Sequence, residues 1–447
     1  MELNNVSYES LIELEANRQK NNIELIASEN FPSKRVLNAA GSILTNKYAE
    51  GYSGKRYYGG CQYIDMIETK AIYDVCTLFK CNYANVQPHC GSSANQAVYR
   101  ALLNKGDTVL GMDLGAGGHL THGHKMSFSG QDYNIVSYGV NDNGIIDYQD
   151  IEDKLYKYNP RMLLVGASSY SQIIDYERIK HILDVYNGSI LVELEKEFAD
   201  EALDKAYEES KCYYMVDMAH VAGLVAGGVH PNPCEFADVV TSTTHKTLRG
   251  PRGGIILWNS EKLTKAINSA VFPGIQGGPL EHIICAKGIC FEEASTDEFK
   301  DYARQVVKNA KAFADEFIKL GWKVISNGTE NHMFVLDVYN SIGLTGKQAE
   351  TILDEVNITL NKNQIPNDTL PPLKSSGVRI GTPAMTTKCW KEEDFRELAK
   401  LIDSVLRAYN EIKDDDNISN SVIKEKFMGK IENLIYKERV YERYYNI

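Results

Sequence analysis

The sequence predicts an α/β fold: a large domain on a mostly parallel, doubly wound sheet, a smaller C-terminal α/β domain and an N-terminal helical arm. Two observations support this. Short apolar, β-branched runs alternate with helix-length amphipathic segments over the first part of the chain. A Gly- and Pro-rich stretch at 273–279 then precedes a second series of helices and strands. Ligands of such sheets bind beyond the carboxyl ends of the strands, so residues there are the first site candidates.

Composition excludes several classes of protein. The 447 residues suffice for two or three domains, and 43% hydrophobic with 24% charged residues is typical of a globular protein. A formal net charge of −12 argues against nucleic-acid binding, and no apolar run approaches the ~20 residues that span a membrane. The nine cysteines include no CxxC pair, and the first residues form neither a basic nor an apolar leader. Both observations predict a cytoplasmic setting.

The first elements surround an aromatic loop. Helical spacing covers 7–20, within an arm that we place at 1–22, and a short apolar segment follows at 23–30. Residues 46–60 are too rich in Gly and Tyr for a helix and predict an ordered loop. Helical spacing returns at 62–80.

A glycine and two serines, Gly91, Ser92 and Ser93, lead directly into helix-forming residues. Backbone N–H groups and hydroxyls at a helix start bind phosphate well, so this is a candidate phosphate site. A plain serine N-cap is the alternative interpretation of the same residues.

Three closely spaced histidines, His119, His122 and His124, suggest a metal site. The segment has no acidic or cysteine partner nearby, and its glycines indicate a loop. A histidine stacked on a flat ligand is the interpretation that we favour over zinc.

Polar residues lie at the ends of the central strands. Strands are predicted at 162–169, 212–220, 237–240 and 254–258, with a helix at 177–186. In a parallel sheet, Ser168, Asp217 and Lys246 would all lie at carboxyl ends. Lys246 follows four hydroxyl residues, 241–244, and a partly dry setting there would let its amine form a Schiff base. A surface lysine in a threonine-rich loop is the alternative.

The second series of elements predicts the smaller domain. Its predicted segments are helices at 301–320 and 391–412, strands at 322–326 and 333–338, a capping box from Thr345 to Gln348, and the segments 357–363 and 377–383. We therefore expect an arm at 1–22, a large domain at 23–290, a small domain at 291–413 and a tail at 414–447. Residues 414–421 are polar and predict a flexible joint.

Four predicted features together meet the needs of pyridoxal phosphate. They are a phosphate cradle, an acid at a strand end, a lysine at a strand end and a histidine that can stack on a ring. Its phosphate needs N–H donors, its ring nitrogen an acid, and its aldehyde an amine. The candidate residues are Gly91, Ser92, Asp217, Lys246 and His119.

The chain resembles the serine hydroxymethyltransferase family of fold-type I pyridoxal-phosphate enzymes from about residue 23 to about residue 408. The motifs that carry this resemblance include Glu-Leu-Ile-Ala-Ser-Glu-Asn, Lys-Arg-Tyr-Tyr-Gly-Gly, Gly-Gly-His-Leu-Thr-His-Gly, Val-Asp-Met-Ala-His, Thr-Thr-His-Lys-Thr-Leu-Arg-Gly-Pro-Arg-Gly-Gly and Gly-Val-Arg-Ile-Gly-Thr-Pro-Ala. The resemblance implies the reversible conversion of serine and tetrahydrofolate to glycine and 5,10-methylenetetrahydrofolate, through an aldimine of the cofactor. No metal is implied.

The resemblance also implies roles for individual residues. For the cofactor, these are Lys246 in the aldimine, Asp217 on the pyridine nitrogen, His119 on the ring face, Ser168 and His220 at the ring hydroxyl, and Gly91 and Ser92 at the phosphate, with Tyr48 and Gly278 from a second subunit. For the substrates, they are Arg379, Ser28 and Tyr58 at the carboxylate, Glu50 as the acid–base group, and Leu114, Gly118 and Asn363 at the pteridine. Thr243 and Arg252 would border the lysine.

The resemblance implies a homodimer with shared sites and leaves a tetramer open. A folate-independent aldolase on the same fold is the alternative enzyme, and a non-catalytic binding protein is the alternative outside catalysis. Two features depart from the family. Cys90 stands where the family usually has a serine, and residues 188–211 have no familiar counterpart. Apolar spacing predicts one acidic surface helix over 193–211, away from the site, after a possible strand end at 190–192.

Overall fold

The computed structural model describes residues 6–413 and 419–437, which form two compact units. The large unit comprises 30–304, and the small unit comprises 6–29 with 305–413 and 419–437. Residues 23–29 therefore belong with the small unit and residues 291–304 with the large unit, whereas the sequence placed the first segment in the large domain and the second in the small domain. Ile23 and Glu24 pair in parallel with Ile358 and Thr359, a long-range contact that no local pattern reveals.

The helices follow the amphipathic segments of the sequence. In chain order they are α1 (Tyr8–Lys20), α2 (Lys34–Ala40), α3 (Gln62–Phe79), α4 (Gly91–Leu102), α5 (Phe128–Asp132), α6 (Tyr148–Tyr158), α7 (Tyr176–Leu194), α8 (Asp200–Ser210), α9 (Ala222–Ala226), α10 (Glu261–Ser269), α11 (Glu281–Ala294), α12 (Asp297–Lys319), α13 (Val338–Ile342), α14 (Gly346–Asp354), α15 (Pro383–Thr387), α16 (Glu392–Ile412) and α17 (Ser419–Ile435). In the described part of the chain, no helix combines the length and apolar character needed to cross a bilayer.

The strands are short and mostly buried. In chain order they are β1 (Ile23–Glu24), β2 (Gly51–Tyr52), β3 (Lys55–Arg56), β4 (Tyr83–Asn85), β5 (Thr108–Met112), β6 (Asn134–Tyr138), β7 (Met162–Val165), β8 (Tyr213–Asp217), β9 (Val239–Thr243), β10 (Gly254–Trp258), β11 (Lys323–Val324), β12 (Met333–Asp337), β13 (Ile358–Thr359), β14 (Asn361–Asn363) and β15 (Gly377–Gly381).

The large unit is built on a seven-stranded sheet in the order β4-β10-β9-β8-β7-β5-β6. Strands β5 to β9 pair in parallel. β10 pairs antiparallel with both β9 and β4, so it is the one strand of the seven that runs in the opposite direction. Every residue of β7, β9 and β10 is buried, as expected for strands covered on both faces. The predicted α/β fold with a mostly parallel sheet is confirmed.

Strand register brings the candidate site residues to one edge of this sheet. Asp217 at the end of β8 is paired with Thr241 of β9, so Lys246 follows only a short distance beyond the same edge. β9 extends to Thr243, further than predicted, because its threonines pair with β10. The start of α4 is held here too, since Gly254 N–H donates to the carbonyl of Pro88 (3.0 Å).

The small unit packs helices against the antiparallel sheet β11-β12-β15-β14. Side chains of α12, α14, α16 and α17 share one apolar core with β12 and β15. The predicted segment 357–363 divides into β13 and β14, and the predicted strand 322–326 is limited to β11. The capping box is confirmed, because Thr345 Oγ1 accepts from Gln348 N–H and Gln348 Oε1 from Thr345 N–H.

The C-terminal tail contributes to this core, which the sequence did not predict. Ile423, Phe427 and Ile431 of α17 are almost fully buried in the small unit. Most of the predicted flexible joint, 414–418, lies outside the described residues, and 419–421 begin α17.

The segment 188–211 differs from its prediction as a single inserted helix. α7 continues to Leu194, with no strand end at 190–192, and α8 starts anew at Asp200. Phe198, expected on the buried stripe, is 41% exposed between the two helices. The helical run is interrupted at 195–199, and Asp200, the first residue of α8, has a left-handed φ of 49°.

Candidate active site

One cavity in the large unit gathers most of the predicted cofactor residues. It lies at the carboxyl edge of the sheet and is lined by Cys90, Gly91, Ser92, His119, His122, Ala167, Ser168, Asp217, Ala219, His220, Thr243, His245 and Lys246. The start of α4, the ends of β8 and β9 and the loops after β5 and β7 supply these side chains. Lys246 is 8% exposed, which rejects the surface-lysine alternative.

The carboxylate of Asp217 is surrounded by donors. Its Oδ2 accepts from Asn95 Nδ2 (2.8 Å) and lies 3.2 Å from His122 Nε2, while Oδ1 accepts from Ala219 N–H (3.0 Å). Burial alone would raise the pKa of Asp217, but the hydrogen bonds from His122 and Asn95 hold that pKa well below its usual range. Asp217 is therefore an anion at neutral pH, and its carboxylate can accept a hydrogen bond from a further donor.

A second set of hydrogen bonds orients the ring of His119. Its Nδ1 accepts from Thr121 N–H (3.2 Å), so the proton of a neutral ring is on Nε2. Thr121 Oγ1 lies 2.7 Å from the same nitrogen and accepts from Asn95 Nδ2 (2.8 Å). Asn95 Oδ1 in turn accepts from Thr241 Oγ1 (2.6 Å). One amide thus connects His119 with Asp217 and with β9.

The histidine segment does not gather metal ligands. His119 faces Thr121 and His122 faces Asp217, while His124 Nδ1 accepts from Met126 N–H (3.3 Å). Among the described residues, no three His, Cys, Asp or Glu side chains come together as a metal would require.

The turn that carries Lys246 is tied to the turn after β8. Thr247 Oγ1 donates to the carbonyl of His220 (2.8 Å) and accepts from Gly223 N–H (2.9 Å). Asn30 Nδ2 donates to the carbonyl of Lys246 (3.0 Å). Burial, together with the charges of Arg252 and Lys246, lowers the pKa of His245 to about 3, so this neighbouring imidazole is neutral. Arg252 itself is exposed and does not line the cavity.

The start of α4 forms a close-fitting, hydrogen-bonding end of the cavity. A Cβ on Gly91 would lie only 2.7 Å from Thr243 Cγ2, so a side chain at position 91 would need its neighbour to move. The Oγ1 of Thr243 is buried and has no hydrogen-bond partner among the described residues. Free N–H groups of a first helical turn and an unpaired hydroxyl suit an anionic group.

The aromatic loop lies elsewhere in the large unit. Tyr48 Oη donates to Glu50 Oε1 (3.1 Å), and the rings of Tyr48 and Tyr58 meet edge to face with centroids 5.1 Å apart. Gly278 is next to the Tyr48 ring, since a Cβ there would lie 3.1 Å from its Cζ. None of these four residues is in the lining of the cavity of their own chain.

Arg56, which the sequence analysis missed, holds this loop in place. Its Nη1 donates to the carbonyls of Ala49 (3.0 Å) and Gly51 (2.8 Å). Its other nitrogens bind Asp65 (2.9 Å) and Glu68 (2.7 Å). A planar guanidinium with all these contacts fixes the backbone on both sides of Glu50.

The predicted carboxylate ligand Arg379 lies on β15 of the small unit. Its Nε donates to Asn361 Oδ1 (3.1 Å), and burial lowers its pKa to about 10, so the guanidinium stays charged at neutral pH. Asn363 Nδ2 donates to the carbonyl of Gln364 (2.6 Å), and Ser28 is half-buried before the unit boundary. These three residues belong to the small unit.

The two predicted pteridine contacts of the large unit lie in the loop after β5. Leu114 is 40% exposed, and Gly118 N–H donates to the carbonyl of Asp113 (2.9 Å). Gly118 is packed so closely that a Cβ would lie 2.2 Å from the carbonyl oxygen of Met112.

Supporting roles for five further residues emerge only from the structure. These are His122, Asn95, Thr121 and Thr241 in the large unit, with Asn361 in the small unit. A signal existed for Asn95, which lies four residues after Gly91, one helical turn away and on the same face.

Known proteins of one family match most of the chain in sequence. A family model described as serine hydroxymethyltransferase matches residues 2–199 and 197–402. A serine hydroxymethyltransferase of Alcanivorax borkumensis is 51% identical over 434 residues, 97% of this chain and 96% of the relative. The chain belongs to the serine hydroxymethyltransferase family. Serine hydroxymethyltransferase 2 of Pseudomonas fluorescens is 53% identical over 400 residues, 89% of this chain and 90% of the relative.

Membership of the serine hydroxymethyltransferase family confirms the resemblance read from the motifs. The two matched stretches meet at 197–199, inside the segment 188–211 that departs from the family pattern. The roles of individual site residues remain predictions.

Proposed function

We propose that the chain transfers the hydroxymethyl carbon of serine to tetrahydrofolate, giving glycine and 5,10-methylenetetrahydrofolate, with pyridoxal phosphate as cofactor. Membership of the family supports this reaction. The observation that carries the proposal is that Lys246, Asp217 and His119 line one cavity together with the start of α4.

The cavity residues fit the proposed cofactor. Gly91, Ser92 and the buried hydroxyl of Thr243 would hold its phosphate, and Ser168 and His220 its ring hydroxyl. When bound, pyridoxal phosphate would supply an aldehyde for amines and a ring that withdraws electrons from the substrate carbon. The ring of His119, held through Thr121, is available to stack on it.

Asp217 would hold a proton at the ring nitrogen. Because its pKa is far below the usual range, the carboxylate remains ionised and accepts that N–H as a charge-assisted bond. Lys246 would act as the amine and as a proton carrier, since its side chain lines the same cavity and is shielded from bulk water.

The remaining roles concern the substrates. Arg379, a charged planar fork, is proposed to bind the serine carboxylate, with Ser28 and Tyr58. Glu50 would move the proton of the hydroxymethyl oxygen, and its bond from Tyr48 orients the carboxylate for that task. Leu114, Gly118 and Asn363 stay predicted contacts of the pteridine.

A homodimer with shared sites forms part of the proposal. Tyr48 and Gly278 lie together but away from the cavity of their own chain, which fits residues that serve a second copy. A cytoplasmic location stays a prediction.

The deciding experiment measures serine-to-glycine conversion by the purified protein with pyridoxal phosphate, with and without tetrahydrofolate. We expect conversion that depends on both. Equal serine cleavage without tetrahydrofolate would identify a folate-independent aldolase, and failure to bind pyridoxal phosphate would indicate a non-catalytic protein.

A further inference from the structure

Cys90 is the N-cap residue of α4 and one of the residues that line the candidate cavity. Its backbone N–H donates to Ser93 Oγ (3.0 Å), and its sulfur lies 3.5 Å from the same hydroxyl. A Cβ on Gly254 would lie 2.3 Å from the carbonyl oxygen of Cys90, so the backbone is packed against β10. The backbone of Cys90 is therefore held in place at the cavity, and its sulfur lies beside the first turn of the helix.

Cys90 differs from the other cysteines in accessibility. All nine cysteines lie within the described residues, and Cys90 is the one that is exposed. Burial raises the pKa of Cys212, Cys285 and Cys290, which reduces the thiolate available for reaction. A small electrophile should therefore reach Cys90 before these thiols.

A second observation points to a ligand group at the end of the cavity that Cys90 lines. Thr243 is 6% exposed and lines the same cavity, and its hydroxyl is buried without a hydrogen-bond partner among the described residues. A buried unpaired hydroxyl costs free energy until a ligand satisfies it. A Cβ on Gly91, the residue after Cys90, would lie 2.7 Å from Thr243 Cγ2, so a ligand group bound by Thr243 would lie close to Cys90.

We propose that Cys90 is a covalent modification site for small soft electrophiles, and that an adduct on its sulfur excludes the phosphate of the cofactor. Conversely, bound cofactor shields the thiol. The inference rests on the proposed pyridoxal phosphate site. It makes cofactor binding sensitive to thiol-reactive compounds, which a serine at position 90 would not do. Space decides the competition, because even a Cβ on Gly91 would lie only 2.7 Å from Thr243 Cγ2, so this end of the cavity has little room for an added group beside a phosphate.

Iodoacetamide is a suitable probe of the site. The sulfur forms a bond to the methylene carbon, the carbon–iodine bond breaks, iodide leaves and the thiol proton passes to solvent. Peptide mapping by mass spectrometry follows the alkylation of each cysteine over time in cofactor-free protein, with added pyridoxal phosphate and with inorganic phosphate. Saturating pyridoxal phosphate should slow alkylation of Cys90 by about tenfold or more and leave Cys285 unchanged.

The reverse experiment measures the cofactor affinity of alkylated protein by absorbance titration. Alkylation should weaken binding about tenfold or more in the native chain and in Cys285→Ser, and Cys90→Ser should be insensitive to the reagent. Unchanged affinity after stoichiometric alkylation of Cys90, or equal alkylation rates with and without bound cofactor, would overturn the inference. If unmodified protein binds no pyridoxal phosphate at all, the proposed function fails instead, so the two failures are distinguishable.

Discussion

His122 Nε2 lies 3.2 Å from Asp217 Oδ2, and this histidine is one of two side-chain donors that hold the carboxylate in its ionised form. Burial raises the pKa of Asp217, and the hydrogen bond from His122 lowers it. His122→Ala removes that hydrogen bond, so we expect the pKa of Asp217 to rise. We expect weaker retention of pyridoxal phosphate, most clearly at low pH, where a neutral carboxyl cannot hold the ring proton, with recovery as pH rises.

Dialysis followed by absorbance titration across pH measures this effect. His124→Ala is the matched control, because His124 belongs to the same loop but contacts Met126 and does not line the cavity. Equal cofactor affinity of His122→Ala and the native chain at every pH would contradict the assigned role.

Two lysines of the large unit compete for the role of cofactor amine. Burial lowers the pKa of Lys287 to about 7, which by itself suits a nucleophile. Its Nζ, however, donates to the carbonyls of Val86 (2.7 Å), Pro88 (3.0 Å) and Gly254 (2.9 Å), whereas Lys246 lines the cavity. Borohydride reduction and peptide mapping should place the cofactor on Lys246, and Lys246→Ala should lose both label and turnover. Label on Lys287 would reject the assignment.

Mixed dimers test the shared site. Tyr48→Ala and Lys246→Ala chains, each inactive alone, should regain about a quarter of native activity when mixed in equal amounts, because half of the dimers then carry one intact site. Asp217→Ala mixed with Lys246→Ala is the control and should stay inactive, since both residues line the cavity of one chain. No recovery in dimers shown to be mixed would count against sharing.

Glu281 makes stability depend on pH. Both its carboxyl oxygens are buried without a hydrogen-bond partner among the described residues, and one lies 3.9 Å from Arg56 Nη1. Burial and the charge of Glu68 raise the pKa of Glu281 to about 8, against an ordinary value of 4.5. The native state thus keeps a proton that the unfolded chain releases, so stability falls as pH rises from 4.5 through 8.

Glu281→Gln removes this dependence. The variant should gain unfolding free energy over the native chain on the order of 2 kcal/mol between about pH 5 and about pH 9, measured by denaturant unfolding. Glu292→Gln on the same helix is the control, since ion pairs with Lys70 and Arg35 lower the pKa of Glu292 and give the opposite trend. A constant difference between Glu281→Gln and the native chain across pH would reject the protonated carboxyl.

The segment containing α8 should be dispensable for catalysis. It precedes the N-terminal end of β8, opposite Asp217, and α8 buries none of its residues. Replacing 195–207 with a Gly–Ser sequence of the same length keeps the carbonyls of Glu208 and Lys211 that accept from Arg161. We expect serine turnover within about threefold of the native value and a slightly lower melting temperature. Loss of bound cofactor in a folded protein would contradict this placement.

The sequence by itself determined the fold class, the family and the residues at the strand ends. Alternating apolar runs predict parallel strands, and the glycine and two serines at 91–93 predict a helix start, which the structure places at Gly91. These features are local, so a linear pattern is sufficient to reveal them.

The tertiary structure alone decided which groups surround those residues. Asp217 meets His122 and Asn95 because the strand order places β5, β8 and α4 at one edge, and neither partner is near it in sequence. In the small unit, α17 reaches the core, and residues 23 and 24 pair with 358 and 359, through contacts between segments far apart in the sequence. Side-chain periodicity records which face of an element is buried, but not which distant element covers it, because that choice is made by packing across the whole unit.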